Sequence, residues 1–133
     1  KGGIPVPNKV SFISQNWKKY PALIQDSTLV TKIIDIEKTI NGRAYYYIPK
    51  EKVLPFAGQI KTGDIILITT KKKGLDTAHV GIAIENEGQI YLLHASVSDK
   101  KVSVTTETLP DYLQRITSHS GIMIGRLINF KSN

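Results

Sequence analysis

The spacing of the apolar residues changes along this 133-residue chain, from a helical period to short β-forming runs. Isoleucine and leucine recur at helical intervals over residues 22–41, and Asn41-Gly42 is a typical helix end. Residues 1–21 are rich in Pro, Gly and Asn, which predicts an irregular arm. From residue 45 onward, β-branched and aromatic runs alternate with turn residues. The pattern therefore predicts an arm, one packed helix and then a sheet.

The sheet region, residues 45–130, predicts an antiparallel meander with one inserted helix at residues 107–116, where Pro110 lies in the tolerated first turn. The continuous apolar run at residues 65–70 is typical of a strand buried on both faces. The other strands are expected at residues 45–48, 79–84, 89–95, 101–106 and 121–130. The fold class that follows is α+β, with a curled antiparallel sheet, a partial barrel, and packed helices.

Composition and charge narrow the class of protein. The content of 41% hydrophobic and 22% charged residues is ordinary for one globular domain. No apolar run approaches the roughly 20 residues of a membrane span, so none is expected. The net charge of +7 favours acidic partners such as nucleic acid, anionic lipid or anionic cell-wall polymer. The lysines are spread along the chain apart from residues 71–73, and no nucleic-acid motif appears, so nucleic acid is not an expected partner.

Two histidines lie on a predicted hairpin, 78-AHVGIAIENEGQIYLLHAS-96. A turn centred between Asn86 and Glu87 puts His79 directly opposite His94, with Cβ atoms roughly 5 Å apart. One imidazole can then take a proton while the other orients it, as in a nucleophile–base–orienter site. A three-residue loop with Gly88 in a bulge would shift the pairing by one and move His94 to the other face.

Two other interpretations of these histidines stay open. Each can be a hydrogen-bonded residue at a strand end with no chemistry. Alternatively, Asp76, His79 and His94 can form a three-ligand metal set. The face of His79 also carries Gly81 and Ala83, whose small side chains allow a helix to lie close against it.

Three runs, 62-TGDIILITTKKKGLDTAHVGIAI-84, 91-YLLHAS-96 and 101-KVSVTTETLPDYL-113, resemble in this order the C-terminal half of the N-acetylmuramoyl-L-alanine amidase-like family. These are bacterial envelope proteins of the NlpC-type, papain-like peptidoglycan hydrolase superfamily, and the likeness covers residues 45–127. The resemblance implies a papain-like fold and a Cys–His–polar triad. His79 matches its general base and His94 its third, orienting member. Further candidates, for substrate binding, are Asp76, Ser96 and Tyr47.

The chain departs from that pattern because it contains no cysteine. The family's cysteine begins a helix upstream of these motifs, and Ser96 and Ser98 are too close in sequence to His94 to replace it. Either the chain is a C-terminal portion of a longer polypeptide or it is a non-catalytic relative. The non-methionine start favours the first. If the cysteine helix is missing, we expect the face of His79, Gly81 and Ala83 to be uncovered and occupied by the missing portion or by another copy.

The function expected from the resemblance is cysteine-dependent cleavage of the amide between N-acetylmuramic acid and L-alanine in the cell envelope. The partners are then a peptidoglycan or muropeptide substrate and the missing N-terminal portion, with no cofactor or metal. Residues 1–133 would be the C-terminal part of one hydrolase domain and inactive alone. The alternatives are a stem-peptide endopeptidase and a non-catalytic basic module that binds anionic cell-wall polymer.

Overall fold

A computed structural model describes residues 3–7 and 9–128. These residues form an α+β fold with one open antiparallel sheet, whose strand order is β1-β2-β7-β3-β4-β5-β6. In chain order, strands β1 to β7 are Ile4–Pro5, Tyr46–Pro49, Ile65–Thr70, Thr77–Asn86, Gln89–Ser96, Lys101–Val104 and His119–Gly125. The predicted α+β class is confirmed, and β3 is a central strand as expected.

The helices are short, except for one. Helices α1 to α5 are Phe12–Gln15, Pro21–Gln25, Thr28–Asn41, Val53–Phe56 and Leu109–Arg115, and 3-10 turns occur at Trp17–Lys19, Lys50–Lys52 and Ala57–Gln59. Helix α5 confirms the predicted inserted helix with trimmed ends, and the Thr108 hydroxyl caps it by accepting from Asp111 N. None of the described helices is long and apolar enough to cross a membrane.

The continuous helix predicted for residues 22–41 is wrong, because Asp26 interrupts it. Asp26 has extended backbone angles, φ −134° and ψ 92°, and ends α2. Its carboxylate then accepts hydrogen bonds from the Thr28 backbone N–H at 3.0 Å and from the Thr28 hydroxyl at 2.5 Å. Asp26 therefore starts a second helix instead of continuing the first.

The described part of the predicted arm, residues 3–7 and 9–21, is more ordered than its composition suggests. Ile4–Pro5 pairs with β2 as an edge strand, where proline is tolerated. Helix α1 is held by the loop after β3, since the Gly74 carbonyl accepts from the backbone N–H groups of Ser11 and Phe12. At the other end, β7 begins at His119 and ends at Gly125, so the strand predicted over residues 121–130 is wrong at residues 126–128, and residues 129–130 lie outside the described residues.

The core lies on one face of the sheet, here called the inner face. It is built from the apolar side chains of strands β3, β4, β5 and β7, the segment from α4 to residue 60, and α5; its largest fully buried members are Ile66, Ile68, Leu92, Leu109, Leu113, Ile122 and Val53. Gly81 and Ala83 are buried on this face. The expectation that this face is uncovered is therefore wrong at Gly81 and Ala83, because α4 and α5 add Val53, Leu109 and Leu113 to the same buried cluster as Ala83, whereas His79 on this face is only half-buried.

The opposite, outer face is exposed over the β3–β6 half of the sheet. Ladder pairs place Ile65 beside Ile82 and Leu93 beside Val104 on this face. Exposed apolar side chains here are Ile65, Val80, Ile82, Val102 and Val104, from 37% to 69% accessible. Strand β3 is thus buried on both faces over only part of its length, since Ile66 is fully buried and Ile65 is not.

Candidate active site

The hairpin that carries the two histidines has a two-residue turn, as predicted, but the turn is centred one residue later in the chain. Glu87 and Gly88 form it with φ of +52° and +76°, angles that glycine adopts without penalty. The ladder pairs Asn86 with Gln89 and Ala83 with Leu92. The register is therefore shifted by two residues from the predicted one, and the prediction that His79 lies directly opposite His94 is wrong. A shift of two keeps every side chain on its face, because strands alternate with a period of two.

The two histidine rings are in direct contact on the inner face. Nε2 of His79 lies 2.7 Å from Nδ1 of His94, a hydrogen-bond distance. The ring centroids are 5.0 Å apart and the ring planes are perpendicular, at 88°. His94 is buried and His79 is half-buried. The predicted proximity of the rings on one face of adjacent strands is confirmed.

A kink in β4 helps to aim His79. The β3–β4 ladder pairs Ile68 with His79 and then Thr69 with Thr77, so Ala78 is skipped by a bulge. Bulges increase the local twist and redirect the side chains beside them. No periodicity in the sequence signals this bulge, yet it lies immediately before the histidine that contacts His94.

Burial lowers the pKa of His79 below its usual value, and the neighbouring His94 lowers the pKa further. Two imidazoles at hydrogen-bond distance cannot both be charged at low cost, because like charges repel. His79 is therefore neutral near pH 7, with one ring nitrogen able to accept a proton. This is the protonation state that a general base requires.

Tyr112 and His119 extend the row of rings, and the sequence interpretation missed both. The His94 and Tyr112 centroids are 5.5 Å apart, and those of Tyr112 and His119 are 5.7 Å apart. His119 is buried, and its Nδ1 has no hydrogen-bond partner among the described residues. Burial lowers the pKa of His119, and the charges of His79, Lys50 and Arg115 act in the same direction.

The signal for Tyr112 was present in the sequence. Leu109, Tyr112 and Leu113 have the spacing of one helical face, which predicts that they point together at the sheet. His119 carried no such signal. It reaches the site only because β7 lies beside β3, which in turn lies beside β4.

A cavity of about 500 Å³ opens beside the histidine pair. His79, His94 and the predicted Ser96 all line it, and its other walls include Ser98, Asp99, Ser103, Thr105, Thr106, Glu107, Tyr112, Arg115 and His119. The Ser96 hydroxyl lies 3.0 Å from that of Ser98 and accepts from the Asp99 backbone N–H, so it also closes the loop after β5. Hydroxyl groups thus dominate the wall next to the histidines.

The structure does not bring Asp76 or Tyr47 to this cavity. Asp76 accepts a hydrogen bond from the Thr77 backbone N–H at 2.7 Å and lines a separate cavity of about 160 Å³. Tyr47 lies in β2, paired with Ile4 at the far side of the sheet. Among the described residues, no group of three or more His, Asp or Glu side chains is arranged to hold a metal ion. The three-ligand alternative with Asp76 therefore has no geometric support.

Comparison with known proteins decides the family. The sequence profile of the N-acetylmuramoyl-L-alanine amidase-like family matches residues 6–122. The chain belongs to this family. No protein with a curated description matches the chain.

Several solved structures of longer proteins are similar to this chain. A crystal structure of an N-acetylmuramoyl-L-alanine amidase from Bacteroides uniformis is 36% identical, with a TM-score of 0.83 over 92% of this chain and 52% of its own. A second amidase structure from that organism is 39% identical, with a TM-score of 0.79 over 87% and 50%. A protein from Bacteroides fragilis, provisionally assigned as a xylanase, is 36% identical, with a TM-score of 0.80 over 91% and 53%. The chain therefore spans about half the length of these relatives.

Proposed function

We propose that this chain is the histidine-bearing part of a cysteine-dependent hydrolase that cleaves the amide between N-acetylmuramic acid and L-alanine in cell-envelope peptidoglycan. The observation that carries the proposal is the 2.7 Å contact between Nε2 of His79 and Nδ1 of His94. The pair lies at an open cavity in a member of an amidase-like family. The papain-like, NlpC-type assignment belongs to this proposal.

In the proposal, the two ring nitrogens of His79 have different tasks: Nε2 orients the ring and Nδ1 moves the proton. If Nε2 of His79 carries its proton and donates to Nδ1 of His94, then Nδ1 of His79 is left free to accept a proton. His94 is buried and therefore fixed, so it holds the His79 ring in one orientation. In the proposal, His79 is the general base and His94 the orienting residue.

The nucleophile must come from outside these 133 residues, because they contain no cysteine. We propose that a preceding part of the same polypeptide supplies a thiol at a helix N-terminus, where the thiolate is stabilised. Two observations support a larger protein: the relatives are about twice as long, and the outer face leaves Val80, Ile82 and Val102 exposed. Exposed apolar patches of this kind mark association surfaces.

The proposed reaction follows from these groups. Nδ1 of His79 takes the thiol proton, and the thiolate attacks the amide carbonyl carbon. His79 then gives the proton to the leaving amine of L-alanine, and the acyl group remains as a thioester. His79 next takes a proton from water, whose oxygen attacks the thioester and releases the lactyl carboxylate and the thiol. The donors to the oxyanion include the cysteine's own backbone N–H and so also lie outside this chain.

Alkylation tests the cysteine dependence. The full-length protein is treated with iodoacetamide until mass spectrometry shows complete modification, and release of stem peptides is measured. We expect modification of the proposed nucleophile to abolish release, and prior occupancy by substrate to slow both modification and inactivation. Full activity after complete alkylation would contradict the proposal, since no thiolate would then remain to attack.

A further inference from the structure

The loops at the histidine end of the sheet carry a concentration of lysines. Because adjacent strands are antiparallel, the loop after β3 and the loop after β5 lie at the same end as His79 and His94. These loops and the first residue of β6 contribute five exposed lysines, here called the basic rim: Lys71, Lys72, Lys73, Lys100 and Lys101. The rim therefore lies at the same end of the sheet as the proposed catalytic pair.

The two ends of the β4–β5 hairpin differ in charge. The turn at the opposite end carries Glu85 and Glu87, with Lys61 facing the same shallow cavity as Glu85. At the histidine end the loops contain two acids, Asp76 and Asp99, against the five lysines of the rim. Asp76 is already used as an acceptor for the Thr77 backbone N–H. The lysines thus outnumber the acids in the loops at the histidine end, while Asp99, Glu107 and Arg115 line the cavity itself.

The structure also brings Lys19, which lies outside the rim, to the same aromatic ring as Lys72 of the rim. The Gly74 carbonyl in the loop after β3 accepts from the backbone N–H groups of Ser11 and Phe12, which docks α1 on that loop. The Phe12 ring then lies between two ammonium groups: Lys72 Nζ is 4.1 Å and Lys19 Nζ is 5.8 Å from its centroid. Cations are attracted to an aromatic face but repel one another.

Resting on the proposed function, we propose that the basic rim binds carboxylates of stem peptides neighbouring the one being cleaved, and so selects polymeric peptidoglycan. Peptidoglycan repeats its stem peptides along a glycan, so a strand with one amide at His79 presents further carboxylates to the loops around it. The carboxylates of the substrate carry the charge opposite to that of the rim lysines, so they are the ligand proposed for it. The contacts are exposed, so each is weak and their effect depends on several acting together.

Binding to insoluble peptidoglycan tests the proposal without cleavage. The full-length His79→Ala variant is sedimented with peptidoglycan from which phosphate-bearing polymers have been stripped. The double variant Lys72→Gln/Lys100→Gln in this background is compared with Lys32→Gln/Lys61→Gln, which removes the same charge from α3 and from the opposite end of the hairpin. We expect the rim variant to lose at least about fivefold in affinity at low salt, and the control to lose little. Equal losses would overturn the proposal by showing that net charge alone matters.

The source of the anion is tested with chemically altered wall. Amidation of the stem-peptide carboxylates should remove the difference between the rim variant and the control. If the rim-dependent part of binding is found only with wall that retains phosphate-bearing polymers, the proposal is wrong about the ligand. Hydrolysis separates the two proposals: an active enzyme with no rim-dependent binding overturns the rim alone, whereas an inactive full-length protein overturns the catalytic proposal.

Discussion

Nε2 of His79 and Nδ1 of His94 lie 2.7 Å apart, although the two residues are not directly opposite each other in the β4–β5 ladder. The β4–β5 ladder pairs Ile82 with Leu93, so His79 and His94 are offset along their strands, and the bulge at Ala78 lies next to His79. The contact leaves one nitrogen of His79 for chemistry and uses the other for orientation. It also predicts that the two histidines are unequal in their effect on turnover.

We expect His79→Ala to lower kcat of the full-length protein by about 10²–10⁴-fold, because it removes the group that moves the proton. His94→Asn should cost less, since an amide oxygen can still accept a hydrogen bond from His79. The measurement is kcat on a soluble muropeptide. A larger loss for His94→Asn than for His79→Ala would reverse the assigned roles.

Thermal unfolding provides the control for that comparison. Removing the His79 ring leaves Nδ1 of buried His94 without its partner, which is expected to cost about 1–3 kcal/mol. Activities are therefore compared well below the midpoint of each variant. If kcat of His79→Ala returns to the wild-type value on cooling, the defect is one of folding and not of proton transfer.

The histidines predict a pH dependence of stability. Burial lowers the pKa of His79 and of His119 in the folded protein, while the unfolded values stay near the usual 6.5. Below about pH 6.5 the unfolded chain therefore binds more protons than the folded one, and the free energy of unfolding falls until the folded pKa values are passed. We expect Tm to fall as the pH is lowered through this range. His119→Phe removes one of the titrating rings and should make the fall of Tm with pH less steep.

Asp64 provides an internal control in the same titration. Arg126 donates to both oxygens of its carboxylate at 2.7 and 2.6 Å and lowers its pKa from 3.8. The pair of Asp64 and Arg126 stabilises the fold above pH 3.8. This stabilisation is lost as the pH falls through the lowered pKa of folded Asp64, which lies below the pH range in which the histidines titrate. An unchanged slope above pH 5 in His119→Phe would contradict the assignment to His119.

The positive φ of Gly88 belongs to the turn that sets the β4–β5 register, so a residue with a Cβ is expected to strain the backbone there. Gly88 has φ +76° and no atoms within 4 Å of an added Cβ, so Gly88→Ala meets only backbone strain. We expect a loss of roughly 1 kcal/mol in the free energy of unfolding. Gly58→Ala is the matched control, since its Cβ also meets nothing within 4 Å but its φ is not positive. Equal effects of the two substitutions in chemical denaturation would contradict the observed turn.

Gly81 couples the hairpin to the histidines. An added Cβ would lie 2.5 Å from Cδ1 of Leu92 and 2.8 Å from the Leu93 carbonyl oxygen. We expect Gly81→Ala to push β4 away from β5, to destabilise the fold by about 1–3 kcal/mol and to disturb the His79–His94 contact. NMR of the histidine ring nitrogens measures that contact directly. An unchanged ring spectrum in a folded Gly81→Ala protein would show that the strands separate elsewhere.

Local patterns in the sequence predicted the strands and the inserted helix well, because alternation and helical spacing are properties of neighbouring residues. They also placed both histidines on the correct face, which depends only on a period of two. The exact pairing was wrong, since it depended on whether Glu87 would adopt a positive φ. The predicted helix ran from residue 22 through Asp26 because the apolar spacing continues across it, although Asp26 has the side chain of a helix cap.

Contacts between distant parts of the chain could not be predicted from the local sequence pattern. His119 joins the site through the order of β7, β3 and β4, and α4 and α5 pack on the inner face at Ala83 while the cavity beside His79 stays open. Nothing in the local spacing of residues 50–60 distinguished a helical cover from a loop. The lysines of the basic rim looked dispersed along the chain, and the fold gathers them at one end.

Product analysis of a peptidoglycan digest shows whether the protein cleaves the amide between N-acetylmuramic acid and L-alanine. Purified muropeptides are incubated with the full-length protein, with its His79→Ala variant and with the isolated 133-residue chain, and the products are identified by mass spectrometry. We expect stem peptides with a free L-alanine amino group from the full-length protein only. Release of the same product by the isolated, mass-verified chain would contradict this expectation, because that chain has no thiol to attack the amide.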